Sequence, residues 1–203
     1  MKFTLKLNFT NDQLEVIAAT NSKVIVAKPS NSGPYVAWQA FDPLNANTLT
    51  WEEEYGVYAS TASMTHGAEL LKLSNTGTLP ATSNKVYVLE SSGVISGPQD
   101  GGELNSFTLV NQYDKNDFMT VGLYQDAIVN GVLVAGNAIS AAGTLLASTA
   151  VISPYTTLCV WLQSEVDSNT VVTKVASPIS LLKFGGKTSE ISAHYDRISG
   201  KFL

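Results

Sequence analysis

Apolar residues in this chain come in short runs that alternate with polar ones and stop at Gly, Pro, Asn or Ser every ~8 to 15 residues, the rhythm of strands and turns. Roughly a dozen such runs predict an all-β fold, an antiparallel β-sandwich of short strands with long Gly/Ser/Asn-rich loops. The expected organisation is a single domain over residues 1–203. The alternative is two small β-domains divided near 91–103, where SSG, SGP and QDGG cluster. No internal repeat of fixed period is present, which disfavours a propeller or a solenoid.

Along the chain, Phe3, Leu5, Leu7 and Phe9 alternate with Lys2, Thr4, Lys6 and Asn8, as in an edge or outer strand whose lysines discourage pairing with other chains. Leu14, Val16 and Ala18 continue the alternation more weakly and predict a second strand over Gln13–Ala19. Lys23–Lys28 is apolar at four successive positions, Val24 to Ala27, and reads as buried on both faces. The segment PSNSGP at 29–34 reads as a turn. Tyr35–Phe41 and the strand after it predict a hairpin-like pair with a long loop. Ala68–Leu73 is short for a helix and reads as strand. Further strands are expected at Lys85–Glu90, Asn105–Asn111, Phe118–Gln125, Thr156–Gln163 and Thr170–Ala176, with a tight turn at Asn130-Gly131. Residues 91–103 read as an exposed loop, and 137–150 as mostly strand and loop. Ile179–Phe184 and Ser189–Tyr195 predict a closing hairpin across Gly185-Gly186-Lys187, and the apolar end Phe202-Leu203 is expected to dock.

The densest stretch is Val36–Ala59, which holds Trp38 and Trp51 with Phe41, Tyr55 and Tyr58. From Thr48 to Ala59 one face carries Leu49, Trp51, Glu53, Tyr55, Val57 and Ala59. Glu53 is the exception on that apolar face, because a carboxylate in a core is costly unless paired, hydrogen-bonded or protonated. The expectation is that it lies at the sheet rim or in a structural pair.

Charged residues make up 14% of the chain, against roughly 25% in ordinary soluble domains. Solubility rests on hydroxyls and amides. The formal charge is −5 and Lys and Arg are nowhere clustered, so the footprint of a nucleic-acid binder or of a protein drawn to an anionic membrane is missing. Cys159 is the only cysteine, which excludes an intramolecular disulfide framework, and its setting in LCVWL reads as a buried small hydrophobe. The first residues lack the apolar core of a signal peptide, and no run approaches the roughly 18 apolar residues of a membrane span. A cytoplasmic location is expected, release by a non-classical route aside.

The chemistry of the commoner enzyme classes is poorly supplied. Two histidines, His66 and His194, and one cysteine cannot complete a Cys/His zinc site, and no G-x-S-x-G elbow occurs. Gly185-Gly186-Lys187-Thr188 resembles the end of a phosphate loop, but Leu181 stands where its first glycine belongs, so it reads as a hairpin turn. Glu52 and Glu54 fall on one strand face about 7 Å apart, a spacing that glycosidases use, with Glu53 opposite. Calcium is the one ion with candidate ligands, in Asp114, Asn116 and Asp117 or in Asp100 and Glu103, and neither loop has EF-hand spacing. Tyrosines beside amides and carboxylates suit sugar recognition. The candidate ligand-binding residues are therefore Glu52, Glu54, Tyr58, Tyr113, Asp114 and Asn116.

The functional expectation is a non-enzymatic binding or assembly protein, lectin-like in recognising glycans, without a cofactor unless calcium serves. Low charge and apolar strands add homo-oligomerisation. The alternatives are a membrane-active, toxin-like β-sandwich and a glycoside hydrolase acting through the strand carboxylates.

Overall fold

The computed structural model describes residues 1–29 and 33–203, and strands account for 50% of the chain against 4% helix. The fold is all-β and sandwich-like, as the sequence predicts. It opens on β1 (Lys2–Asn8), with Phe3, Leu5 and Leu7 buried. Helix α1 (Asn11–Ala19) follows where a second strand is expected. Its start is a capping box: Thr10 Oγ1 accepts from the Gln13 N–H at 3.3 Å, and Gln13 Oε1 accepts from the Thr10 N–H at 3.0 Å. Leu14 and Ile17, three residues apart, then share the inner face, and the alternation of Leu14, Val16 and Ala18 counts for nothing.

Next come β2 (Lys23–Ala27), then β3 (Tyr35–Ala37) and β4 (Gln39–Phe41). The turn expected over 29–34 lies partly outside the described residues. One strand expected over Tyr35–Phe41 is thus divided at Trp38, because its halves join different sheets: β3 pairs with a later strand and β4 with β2. The Trp51 stretch forms β5 (Ala46–Glu52) and β6 (Gly56–Ser60). Since β5 pairs with β1, the expected hairpin with 35–41 does not form.

The chain continues through β7 (Lys72–Asn75), β8 (Lys85–Leu89), β9 (Ile95–Gln99) and β10 (Phe107–Asn111). Here β9 lies inside the expected loop 91–103, and β8 and β10 on either side of that loop pair in parallel. The longest strand, β11 (Phe118–Val129), turns into β12 (Val132–Ala138) at Asn130-Gly131. Both turn residues have positive φ, 49° and 84°, as that hairpin requires. The remainder is β13 (Ala142–Leu145), β14 (Thr149–Ile152), β15 (Leu158–Gln163), β16 (Thr170–Val172), β17 (Ser180–Leu182), β18 (Glu190–Asp196) and β19 (Lys201–Phe202). The last hairpin is a correction too. Strand β17 joins β15 while β18 runs parallel to β1, and only Gly185 and Thr188 bridge the turn. Phe202 docks in the core as expected.

Strand β11 organises the main sheet. One edge pairs with β6 along Thr120–Tyr124 and with β5 at Ile128–Val129; the other pairs with β13 and β12. Smaller sheets, β14-β10-β8-β9 and β17-β15-β2-β4, supply the opposing layer. Phe3, Leu5, Leu49 and Trp51 from the main sheet pack with Leu89, Leu109, Val24, Val26 and Val160 from the others. Between Thr50 opposite Ile128 and Gly56 opposite Tyr124, the five residues Trp51–Tyr55 face the three residues Gln125–Ala127. The excess is an even number, so the bulge leaves Trp51 and Tyr55 on the same buried face as Leu49, Val57 and Ala59. That is why the sequence reads as one uninterrupted strand.

Candidate functional site

The bulge projects three consecutive glutamates and sends them two ways. Glu53, exposed at the rim as expected, borders a cleft of about 570 Å³ with Tyr55, Thr82, Ser83, Asn105 and Phe107. Glu52 and Glu54 border a separate cleft of about 160 Å³ with Lys2, Asp126, Ile128 and Leu133. Gln125 anchors the bulge, its Nε2 donating to the Glu52 carbonyl at 2.5 Å.

The floor of the Glu53 cleft is aromatic. Tyr55 and Phe107 meet edge to face with centroids 6.1 Å apart, and both are almost fully buried. Burial, with the Glu53 charge adding to it, pushes the Tyr55 hydroxyl up to about 12, so it stays protonated at neutral pH. The walls are pinned through their backbones. The Tyr87 hydroxyl accepts from the Thr82 N–H at 2.7 Å and donates to the Thr82 carbonyl at 3.0 Å. Asn84 Oδ1 accepts from the Asn105 N–H at 2.6 Å, while the Asn84 N–H donates to the Ser106 carbonyl at 2.8 Å. Asn84 and Asn105 both hold positive φ, 61° and 55°, which asparagine tolerates better than most residues. Among the described residues the side chains of Glu53, Thr82, Ser83 and Asn105 make no hydrogen bond or ion pair. The cleft therefore offers one carboxylate, two hydroxyls and an amide over an apolar floor.

Behind the bulge lies a residue that the sequence reading passes over. Lys28 is 2% exposed; its Nζ donates to the Tyr155 carbonyl at 2.9 Å and sits 5.4 and 5.5 Å from the ring centroids of Trp38 and Trp51. Burial lowers its pKa to about 7, with the Glu53 charge opposing the shift. The Trp38 indole N–H donates to the Gln125 carbonyl at 3.0 Å, whereas the buried Trp51 indole N–H has no acceptor among the described residues. The available signal was a lysine closing the run Val24–Ala27, which is apolar on both faces.

The other expected ligand residues are not brought together. Tyr58 is fully buried, because β6 lies between β7 and β11 and is covered on both faces. Its hydroxyl donates to the Ser140 carbonyl at 2.8 Å, so the expected exposed aromatic is a core residue. Tyr113 is half-buried at the edge of the core, with Asp114 and Asp117 exposed and Asn116 half-buried in the same loop before β11. That loop lies about 25 Å along β11 from the glutamates, at about 3.3 Å per residue. Among the described residues no three His, Cys, Asp or Glu side chains gather as a metal site. Asp100 is ion-paired with Lys85, and Glu103 is exposed. His66 accepts from the Thr173 N–H at 3.1 Å through Nδ1, and His194 is exposed. Cys159 is buried, and burial pushes its thiol up to about 11. No helix among the described residues is long and apolar enough to cross a membrane. Neither the family models, the curated proteins nor the solved structures contain a match to this chain, so its function has to be read from the clefts themselves.

Proposed function

We propose that this chain is a non-enzymatic binding protein that takes a hydroxyl-rich ligand, of the saccharide class, in the Glu53 cleft. The observation that carries the reading is a pinned cleft of about 570 Å³ in which the Glu53 carboxylate, hydroxyls of Thr82 and Ser83 and the Asn105 amide have no partner among the described residues above an aromatic floor. That volume lies within the range of about 300 to 1,000 Å³ of small-molecule sites. A carboxylate accepts from vicinal hydroxyls, and hydrogen bonds to a charged group contribute about 1.5–3 kcal/mol. Glycoside hydrolysis needs two carboxylates across one bond, and this cleft is lined by one. Glu52, Glu54 and Asp126 do share a cleft, but at about 160 Å³ it is well below that range. A glycan array followed by calorimetry tests the reading: binding to at least one glycan is expected, and silence across the array overturns it.

Assembly is favoured by a different observation. The β11–β12 hairpin leaves an apolar patch in which Leu133 on the edge strand β12, 65% exposed, lies opposite Ile128 on β11, 40% exposed, with Val132, 65% exposed, next to Leu133 in the chain. Pairing of copies through this hairpin accounts for the patch.

A further inference from the structure

A groove of about 290 Å³ lies between α1 and the ends of β15 and β18. Val16, Ile17, Leu162, Ala176 and Tyr195 give it apolar walls. Those walls are tied to one another. Gln13 Nε2 donates to the Tyr195 carbonyl at 2.9 Å, Ser177 Oγ donates to the Leu162 carbonyl at 2.7 Å, and Gln163 Oε1 accepts from the Ala176 N–H at 3.2 Å. Thr20 and Ser22 share a further hydrogen bond at 2.9 Å. Most of the polar lining is thus committed to the fold, and among the described residues only Ser164, Tyr195 and Arg197 line the groove with side-chain polar atoms that have no partner. Arg197 is the only arginine in a chain with 17 Asp and Glu, yet no carboxylate and no lysine lines the groove beside it among the described residues. Its neighbour Asp196 is committed to the turn that follows: Oδ1 accepts from the Ile198 N–H at 3.3 Å, and Oδ2 accepts from the Ser199 N–H at 3.0 Å and hydroxyl at 2.5 Å. An exposed guanidinium without a counter-ion, beside a pinned apolar groove, suits an anion that carries an apolar tail.

We propose that this groove binds a short aliphatic carboxylate, with the Arg197 guanidinium donating to the carboxylate and the tail lying on Val16, Leu162 and Tyr195. The planar fork of an arginine matches the two oxygens of a carboxylate, so the pair is specific as well as attractive. A single cation also suits a single negative charge. A phosphate monoester brings up to about two, and no second cation in the lining balances the excess. The volume falls just below the range of about 300 to 1,000 Å³ of small-molecule sites, which keeps the tail short. This groove shares no lining residue with the Glu53 cleft, so the two sites stand or fall separately.

Calorimetric titration of the full chain with butanoate, hexanoate and octanoate, and with octanol as the uncharged control, tests the proposal. Affinity is expected to rise about two- to fourfold for each methylene added, as burial of the tail on the groove walls requires. Octanoate should bind at one site, at least about fivefold tighter than octanol. Arg197→Gln breaks no hydrogen bond of the fold, and it should bring octanoate down to the level of octanol while octanol itself is unaffected. Glu53→Gln should leave octanoate binding unchanged. Absence of octanoate binding would overturn the proposal, as would an affinity indifferent to chain length, octanol binding as tightly as octanoate, or a preference for octanoate that survives Arg197→Gln or is lost in Glu53→Gln.

Discussion

Lys28 weakens the fold most when its amine is charged. Its folded-state pKa of about 7 lies below the ordinary 10.5, so folding disfavours the protonated form. The penalty is full below pH 7, shrinks as pH rises and disappears above 10.5. Stability should therefore increase with pH across that window, by up to about 1.4 kcal/mol per unit. Above pH 10 the trend reverses as Tyr55, raised to about 12, resists the ionisation that the unfolded chain undergoes. Urea titrations between pH 7 and 9 check this: the midpoint should climb in the wild type and stay level in Lys28→Met. The variant should also be at least as stable at pH 7, because methionine fills similar volume without a charge to desolvate. A level wild-type profile contradicts the burial argument. At this scale the sequence was partly readable. Period-two alternation flagged Glu53 as odd, and the bulge explains how it reaches the rim while Trp51 and Tyr55 stay inside. Lys28 was passed over, because a lysine at the end of a strand ordinarily reaches water, although the run Val24–Ala27 that it closes is apolar on both faces.

Among the elements, β11 has the least room for change. A Cβ on Gly122 would lie 2.0 Å from the Ser140 carbonyl oxygen, and one on Gly56 would lie 2.1 Å from the Tyr124 ring. Backbone cannot swing aside as a ring can. Gly122→Ala should therefore cost about 3 kcal/mol or more, and Gly56→Ala less, as compared by urea midpoints. Equal and small losses would show that β11 yields where the packing says it does not. The elements most legible from sequence were those fixed by local chemistry, such as the Asn130-Gly131 turn and the buried β15. Helix α1 was misread because Leu14, Val16 and Ala18 alternate, although the Thr10–Gln13 capping box was present in the sequence. The division at Trp38 and the broken closing hairpin had no local signal. Both follow from which distant strand each half pairs with, and no short stretch encodes that.

Across the whole molecule, one core cluster runs from Phe3 to Phe202, and the two ends of the chain lie side by side where β1 and β18 pair in parallel. Exposed on the β11–β12 hairpin, Ile128, Val132 and Leu133 lie outside that cluster and are the contact surface in the proposed assembly. Sedimentation should show an oligomer that Leu133→Lys dissociates; a wild-type monomer at high concentration contradicts the assembly reading. The sandwich class was legible because alternation and turns recur along the entire chain. The cleft was not, since its carboxylate comes from the β5–β6 bulge and its hydroxyls and amide from loops of another sheet. Binding in that cleft is the central claim, and calorimetric titration of the best array glycan into the wild type and Glu53→Gln tests it most directly. The account predicts measurable binding that falls at least about tenfold when the Glu53 charge is removed, the loss expected for a charged hydrogen bond. Binding unchanged in Glu53→Gln would place the ligand elsewhere on the molecule and contradict it.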